Sequence, residues 1–511
     1  MKKSIFFTFL FISYFSFSQN VNPDFNEEFV QEFLPTIEVT MNEDDYNWMV
    51  HPDNIWSDTY QHATVVYKGS NNIEVSYLDL GIRLRGNTSR GKDKKSFKLN
   101  FKKFVDDQRF FGLKKLNLKA DTNDPSCVRE HMTMNLYRDY NLVVARVNHV
   151  KLYINNNYMG LYSNVEQIDK TFLGARYDDN DGNLFKCTYP ADFSDLNRVY
   201  DDSTYELKTN EEVNNRDNLY AFIEFLTTAS DNDFDLHIEE YIDVREYLKQ
   251  LPIEILTGHW DGYSYNKNNF YLYYNPVESR FEYIPYDTDN TLGIDWVDRD
   301  WAERDIYDWA KHGEPRPLHK RILAIPRYHA QFTQNMNELL ESKFTSSYQM
   351  NLANSYRELI QESVYSDTYY PQDFGYTNQT FDDSYTMNFV ANHAKYGIQP
   401  FIEKRAQKAR EQLDQSVLSS LHITYTSEIN FYPNPVLHNE ILYFDLKGNF
   451  IDNMQISLWN TMGQKVYEKN IETDKSEYGI IMENVPSGIY ILKGNYKDKG
   501  DRVMTSKIIV Q

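Results

Sequence analysis

The stretch FEYIPYDTDNTLGIDW (residues 281–296) runs from an apolar, aromatic segment into two aspartates and then a turn. Its first four residues are typical of a β-strand, and Pro285 predicts where that strand ends. Asp287 and Asp289 follow the strand, where carboxylates are well placed to bind a hard cation. Aspartate is also a common turn former. This stretch alone therefore leaves metal binding and turn formation both open.

The segment GHWDGYSYNKNNFYLYYNP (258–276) lies just upstream and ends in a second aromatic strand. Asp261 opens its loop, Asn266 follows five residues later, and Asn268 and Asn269 precede the strand. Phosphoryl transfer uses one aspartate to orient the attacking hydroxyl, and an asparagine and a second aspartate to hold Mg²⁺. Protein kinases have the same five-residue gap between the aspartate and the asparagine of the catalytic loop. The simpler alternative is a hairpin loop, in which aspartate and asparagine are common.

Three further residues upstream have types that phosphate binding requires. Lys98 lies in the strand KKSFKLNF, where a lysine facing a cleft would neutralise phosphate charge. Glu130, on the next predicted helix, would pair with Lys98 as a kinase's helix glutamate pairs with its lysine. Arg85 and the glycine-containing loop after it would cover the phosphates. The alternatives are a solvated strand lysine and a glutamate that stabilises the first turn of a helix.

Glu166 ends the mostly apolar strand in GLYSNVEQIDK. It is either the exposed end of a hairpin or a second acid that faces the same cleft.

The composition of the 511-residue chain predicts a secreted, multidomain protein. Residues 1–19 combine two lysines, an apolar core and a polar end, which is typical of a secretory signal peptide. No later stretch is apolar enough for a transmembrane helix. The formal net charge of −22 excludes a general attraction to nucleic acid or anionic lipid. Cys127 and Cys187 are the only cysteines, and whether they form a disulfide is open.

The predicted fold class is α+β. Hairpins alternate with one helix up to about residue 170, and helical periodicity dominates from 216 to 258 and from 315 to 421. Short strands with proline and glycine between them fill 427–511, which predicts a small all-β sandwich.

Five segments, in order, resemble the CotH-type family of atypical secreted protein kinases (spore coat protein CotH). The resemblance covers roughly residues 35–420 and rests on these blocks: IRLRGNTSRGKDKKSFKLNF, GLKKLNLKADTNDPSCVREHM, KLYINNNYMGLYSNVEQIDK, GHWDGYSYNKNNFYLYYNP and YIPYDTDNTLG. It implies a two-lobed, kinase-like domain over 20–426, with an N-lobe at about 35–170 and a C-lobe at about 216–421.

The resemblance also implies a site for ATP and for Mg²⁺ or Mn²⁺. Asp261 matches the catalytic aspartate, and Asp287 matches the metal-binding aspartate with Asp289 as its companion. Further positions match less defined parts of the family's blocks, namely Arg85, Lys98 and Glu166. The identity of the metal-binding amide stays open among Asn266, Asn268 and Asn269.

The tail resembles a type IX secretion C-terminal sorting domain, a kind found in Bacteroidota. The matching motifs are FYPNPV, ISLWNTMGQKVYE, VPSGIYILK and the final KIIVQ. The resemblance implies that residues 427–511 engage the type IX secretion machinery. It also implies passage through the periplasm to the medium or the outer-membrane surface.

We therefore expect an exported kinase that transfers the γ-phosphoryl group of ATP to Ser or Thr hydroxyls of exported proteins. Two alternatives remain open: an inactive binding, adhesion or structural module on the same fold, and a phosphoryl or nucleotidyl transferase with a non-protein acceptor.

Overall fold

The computed structural model describes residues 21–391, 393–415, 417–418, 424–425, 431–445, 453–460, 464–472, 477–482, 485–497 and 501–511. The predicted signal peptide, 1–19, lies outside these residues. The chain divides into two compact units, Met1–Leu413 and Asp414–Gln511. Both contain strands and the first also contains many helices, so the α+β class is confirmed.

The elements of the first unit alternate between strands and helices. Its strands are β1 Thr36–Met41, β2 Gln61–Lys68, β3 Glu74–Leu84, β4 Phe97–Asn100, β5 Lys115–Lys119, β6 Val147–Ile154, β7 Asn157–Glu166, β8 Leu184–Cys187, β9 Tyr205–Leu207, β10 Phe270–Asn275 and β11 Arg280–Pro285. Its helices are α1 Glu43–Val50, α2 Arg129–Asp139, α3 Lys170–Gly174, α4 Asp217–Thr228, α5 Asp231–Tyr241, α6 Val244–Leu256, α7 Tyr263–Asn266, α8 Pro317–Ala324, α9 Pro326–Glu341, α10 Ser346–Tyr365, α11 Asn378–Thr386 and α12 Ile398–Gln412.

A closed β-barrel forms the first part of this unit, with the strand order β1-β2-β3-β4-β5-β7-β6. The barrel closes where β1 runs parallel to β6, and all its other neighbours are antiparallel. Alternating apolar side chains point inward, as the period of two in a strand requires. Fully buried examples are Leu80, Ile82, Leu99, Leu116 and Leu152. Each such leucine truncated to alanine would cost about 2–5 kcal/mol of stability.

A four-stranded antiparallel sheet, β11-β10-β8-β9, follows the barrel in the chain. Helix α6 packs against it, where Gln250 Nε2 donates to the carbonyl of Tyr283 over 2.6 Å. The end of α6 and the end of β11 therefore lie close together, and the loops that carry Asp261 and Asp287 start from these two ends.

Helix α2 connects the barrel to the loop after β11. The buried guanidinium of Arg129 donates to the carbonyl of Leu292 over 3.2 Å. The hydroxyls of Thr133 and Thr291 are 3.1 Å apart in a hydrogen bond. These contacts fix Glu130, which lies between Arg129 and Thr133 on α2, relative to the loop after β11.

The second unit consists of short strands in the residues that the structure describes. They are β12 Thr424–Tyr425, β13 Phe431–Tyr432, β14 Ile441–Asp445, β15 Asn453–Asn460, β16 Lys465–Glu472, β17 Glu477–Ile481, β18 Gly488–Lys497 and β19 Asp501–Val510. They form two sheets, β12-β19-β18-β15-β16 and β13-β14-β17, around a core of their own.

The structure answers the question whether the two cysteines form a disulfide. Cys127 and Cys187 are both buried free thiols rather than a disulfide. Every helix in the described residues is too short or too polar to cross a membrane.

Candidate active site

Lys119, the last residue of β5, lies at the centre of a buried cluster of carboxylates. Its Nζ lies 2.8 Å from Glu130 Oε2 and 3.5 Å from Asp289 Oδ2, and it forms a third ion pair with Asp287. Burial lowers the pKa of Lys119, but the attraction of Asp287, Asp289 and Glu130 outweighs it and raises that pKa well above its ordinary value. Lys119 is therefore a permanent cation shared by three acids.

The carboxylates outnumber the cations in this cluster. Burial raises the pKa of Asp289, and the charges of Asp287 and Glu130 raise it further, so that it stands well above the ordinary value despite Lys119. Burial also raises the pKa of Glu130. Neither carboxylate oxygen of Glu130 receives a hydrogen bond of normal geometry, although the Lys119 amine is near. Burial and carboxylate repulsion thus outweigh the attraction of Lys119 at both Asp289 and Glu130.

The pKa of Asp287 shifts in the opposite direction to those of Asp289 and Glu130. Burial would raise its pKa, but Lys119 and then Arg85 lower it below the ordinary value. Its backbone has a φ of +52°, a left-handed conformation that a non-glycine residue adopts at a cost of about 1–3 kcal/mol. The turn after β11 therefore presents an ionised carboxylate from a strained backbone.

Asp261 lies in a cradle of asparagine amides. Its Oδ1 accepts from Asn266 Nδ2 at 2.5 Å and Asn268 Nδ2 at 3.3 Å, and its Oδ2 accepts from Asn269 Nδ2 at 2.9 Å and Asn290 Nδ2 at 3.4 Å. Burial raises the pKa of Asp261, hydrogen bonds from Asn266 and Asn268 oppose it, and the charge of Asp287 adds to the increase. The amides hold the carboxylate in one orientation.

All three candidate metal-binding amides, Asn266, Asn268 and Asn269, therefore direct their nitrogens at Asp261. Asn266 ends the short helix α7, and Asn269 has a φ of +55° just before β10. In the described part of the chain, no three His, Cys, Asp or Glu side chains are arranged as a metal site.

Arg85 lies beside this cluster. Its Nη2 donates to the hydroxyl of Tyr286 over 2.9 Å. Burial lowers the pKa of Arg85, but the nearby Tyr286, Asp287 and Glu130 raise it overall. Arg85 thus adds a second positive charge next to Asp287.

The predicted pairing of Lys98 with Glu130 is wrong, because Glu130 pairs with Lys119. Lys98 lies in the middle of β4, opposite Arg83 on one side and Asn117 on the other. Burial and then the positive charge of Arg85 lower the pKa of Lys98 well below its ordinary value. Among the ion pairs of the described residues, none includes Lys98. The lysine that meets the helix glutamate is one strand later than predicted.

Glu166 is neither the exposed end of a hairpin nor a member of the Lys119 cluster. Its side chain is 1% exposed and lies between Arg146 Nη2, at 2.8 Å, and Arg176 Nη2, at 2.6 Å. Burial raises its pKa, but the two arginines lower it below the ordinary value. This ion-pair cluster gives Glu166 a structural role between β7 and the segment after α3.

Sequence reasoning missed Lys119, Asp121 and Asn290. Asp121, two residues after Lys119, accepts a hydrogen bond from the hydroxyl of Ser163. Burial raises the pKa of Asp121 to about 7, against the lowering effect of Lys119. A signal for Lys119 existed in GLKKLNLKAD, where a lysine ends the strand that leads directly into the helix of Glu130.

These features define an α+β protein whose site joins a strand-end lysine, a helix glutamate and two loop aspartates, as phosphoryl-transfer sites of the kinase type do. The family model described as CotH kinase protein matches residues 82–407, and the chain belongs to this family. A second model, the secretion system C-terminal sorting domain, matches residues 430–511.

Curated relatives have the same kind of domain. The inner spore coat protein H of Bacillus subtilis is 25% identical over 368 residues, which are 69% of this chain and 95% of that protein. Two proteins of Rhizopus delemar are similar at lower identity. Invasin CotH2 is 21% identical over 70% of this chain and 64% of its own length, and Invasin CotH7 is 22% identical over 62% and 53%. The chain thus spans less than two thirds of either fungal relative.

Proposed function

We propose that the protein is an exported phosphotransferase that moves the γ-phosphoryl group of ATP to Ser or Thr hydroxyls of exported proteins. The observation that carries the proposal is the ion pair of Lys119 with Glu130. Lys119 also pairs with Asp287, whose charge helps to raise the pKa of Asp261. Protein kinases use a lysine–glutamate pair, a metal-binding aspartate and a catalytic aspartate for this reaction. Membership of the CotH kinase protein family supports the same assignment.

The order of elements in the barrel supports a kinase-like lobe. Strand β3, a glycine-containing loop, β4, β5 with Lys119, and α2 with Glu130 follow one another in the order of a kinase's first three strands and its glutamate-bearing helix. We infer that the barrel, within the predicted N-lobe of 35–170, binds the nucleotide phosphates. We take the segment from about 216 to 421 as the second lobe, in which the loops after α6 and after β11 carry Asp261 and Asp287.

The residues fit a divalent cation bound together with phosphates. Mg²⁺ is usually held by one or two carboxylates, water and substrate phosphates rather than by a full protein cage. Asp287 and Asp289 offer two such carboxylates, and a bound cation would relieve the repulsion that helps to raise the pKa of Asp289. The amide oxygens of Asn266 and Asn269 are further candidate ligands.

Each protein group then has a role in the transfer. Asp261, oriented by four amides, accepts the proton of the attacking hydroxyl. Lys119, held by Glu130, and Arg85 stabilise the charge on the phosphate oxygens, which is the largest source of acceleration in such sites. Asp287 and Asp289 would hold a Mg²⁺ or Mn²⁺, which would supply positive charge next to the phosphates. Lys98 has no role in the transfer.

The export route rests on the C-terminal unit. The sorting domain at 430–511 supports type IX secretion, with delivery to the medium or to the outer-membrane surface. We propose a signal peptide at 1–19, a kinase-like domain at 20–426 and the sorting domain at 427–511.

A second candidate function is a binding or adhesion module without catalysis. The names of two relatives, Invasin CotH2 and Invasin CotH7, favour it, because the word invasin names no enzymatic reaction. A transferase with a non-protein acceptor would use the same aspartates.

Incubation of the purified chain with γ-³²P-ATP, Mn²⁺ and a panel of Ser-rich acceptor proteins distinguishes these functions. We expect wild-type protein to label itself or an acceptor, and Asp261→Ala and Asp287→Ala to lose the label. Asp305→Ala, in an exposed loop, is the control and keeps it. Absence of label in the wild type, with intact folding, contradicts phosphoryl transfer. Nucleotidyl transfer would leave the labelled γ-phosphate in pyrophosphate, so mass spectrometry of the unlabelled acceptor, which detects added AMP, separates it from a binding module.

A further inference from the structure

The loop between β3 and β4, residues 86–95, begins and ends at the candidate active site. We call it the covering loop. Its base is closed by a hydrogen bond from the amide of Arg85 to the carbonyl of Ser96, 3.0 Å long. The hydroxyl of Ser96 accepts a 3.0 Å hydrogen bond from the backbone amide of Ala120, the residue after Lys119. At the other end, Arg85 reaches Tyr286.

A segment distant in sequence binds this loop from one side. It follows α10 and comprises residues 367–374, which we call the strap. Its first contact is a buried ion pair, in which Lys94 Nζ lies 2.8 Å from Asp367 Oδ2, with side-chain exposures of 3% and 1%. Lys94 also donates to the carbonyl of Leu161 over 2.6 Å. Breaking such a pair by removing one partner is strongly destabilising.

Close packing holds Asp367 in place. Its Oδ2 also accepts the amide of Leu161 at 3.1 Å, and its Oδ1 accepts the amide of Tyr369 at 2.9 Å. Gly160 has a φ of +112°, and a Cβ on it would come within 2.0 Å of the Asp367 carboxylate. The barrel strand β7 thus leaves room for this aspartate at a position that only glycine fills easily.

The strap's second contact is made with the backbone of the covering loop. Asp373 Oδ1 accepts the amide of Asp93 at 2.9 Å, and its Oδ2 accepts the amide of Lys94 at 3.1 Å. The amine of Lys92 lies 4.0 Å from the centre of the Phe374 ring, which is a cation–π contact. Three consecutive residues of the loop therefore contact the strap.

The opposite side of the loop is also tied down. Arg90 lies 2.6 Å from the carboxylate of Asp58 and donates to the carbonyl of Ser57 over 3.2 Å. With both sides held, the loop has little conformational freedom left to lose when a ligand arrives, and pre-ordering of this kind increases affinity.

We infer that the strap positions the covering loop for nucleotide phosphates, with Asp373 and Asp367 as positioning residues. The inference rests on the proposed function, because the loop is taken to lie over ATP. The strap, a part of the proposed second lobe, thereby increases nucleotide affinity without contacting the nucleotide.

Asp373→Ala in the full chain tests the inference, because Asp373 is partly exposed and its loss leaves no buried charge. Hydrogen exchange of the peptide that covers 86–96, measured without nucleotide, reports how firmly Asp373 holds the covering loop. We call this contact the tether. Titration with ATP and Mn²⁺ reports the affinity. We expect faster exchange at Asp93 and Lys94 and about tenfold weaker binding, as the loss of a charge-assisted hydrogen bond gives, with kcat little changed. Asp373→Asn, which keeps one acceptor oxygen and the shape, should restore part of both effects.

Asp305→Ala is the matched control, because Asp305 also accepts two backbone amides, those of Tyr307 and Asp308, in an exposed loop. It should change neither readout. Unchanged exchange in Asp373→Ala overturns the tether, and faster exchange with unchanged affinity overturns the positioning role. A wild type that binds no nucleotide overturns the proposed function and the role in nucleotide affinity, while the exchange measurement still decides the tether.

Discussion

Lys119 holds together three carboxylates that would otherwise repel one another in a buried site. A lysine amine can compensate only part of this charge, so Asp289 and Glu130 have raised pKa values while Asp287 stays ionised. Such a cluster costs stability, and its retention is typical of functional sites.

Replacement of Lys119 by methionine therefore affects catalysis more than the replacement of any other lysine near the site. We expect Lys119→Met to lower the rate of phosphoryl transfer by about 100-fold or more, which is the usual cost of one lost electrostatic contact to a transition state. Lys98→Met, which removes a half-buried lysine from the neighbouring strand β4, is the control and should retain most of the rate. Equal losses in both variants, measured by label transfer from ATP, would restore Lys98 as the phosphate-binding residue.

The local part of the site could be predicted from the sequence. Asp287 and Asp289 follow β11, which ends at Pro285 as expected, and Asp261 opens the loop before β10. These positions depend on strand ends and turns, which are encoded by neighbouring residues. The partner of Glu130 was predicted wrongly because it depends on the register of β4 and β5, in which Lys98 lies opposite Asn117 and Lys119 lies two residues further along β5. Local patterns do not reveal that register.

At the scale of elements, α6 connects the sheet to the catalytic loop. Glu254, near its end, is buried and accepts the amide of Ser264 at 3.0 Å. Burial raises the pKa of Glu254 to about 7, although its hydrogen bonds with Ser264 lower it. The helix thus carries an acid that is largely protonated below neutral pH and supports the loop of Asp261.

This acid makes stability dependent on pH. Between about pH 4.5 and 7 the folded state binds a proton that the unfolded state releases, so stability falls as the pH rises through this window. Glu254→Gln should remove up to about 3 kcal/mol of that fall between pH 5 and pH 8, measured by urea unfolding at the two pH values. Glu212→Gln, in an exposed loop, is the control. If Glu254→Gln shows the same pH dependence as the wild type, the acid titrates normally.

Helix α2 begins later in the chain than its local sequence pattern indicates. In DPSCVREHMTMNLYRDYN (124–141), the pattern predicts a helix with Asp124 as its N-cap and Pro125 in its first position, yet α2 begins at Arg129. The carboxylate of Asp124 accepts the amides of Ser126, Val128 and Arg129 and pairs with the Arg129 guanidinium. It stabilises a turn before the helix, and this local ion pair delays the helix by about one turn.

At the scale of the whole molecule, an enzyme-like unit is joined to a sorting unit. The α+β class and the strand-rich tail follow from periodicity and turn residues, which a single sequence displays well. The strap could not be predicted, because Asp367 and Asp373 lie about 280 residues from the loop that they hold, and nothing in their own neighbourhood indicates that partner.

The central claim is that Asp287 and the lysine–glutamate pair form one nucleotide–metal site. Calorimetric titration of the full chain with ATP and Mn²⁺ tests it most directly, with wild type beside Asp287→Asn, which keeps the side chain's size and removes its charge. We predict one ATP bound per wild-type chain only when Mn²⁺ is present, and no measurable binding to Asp287→Asn. Equal binding by both proteins, or none by a folded wild type, would contradict the claim.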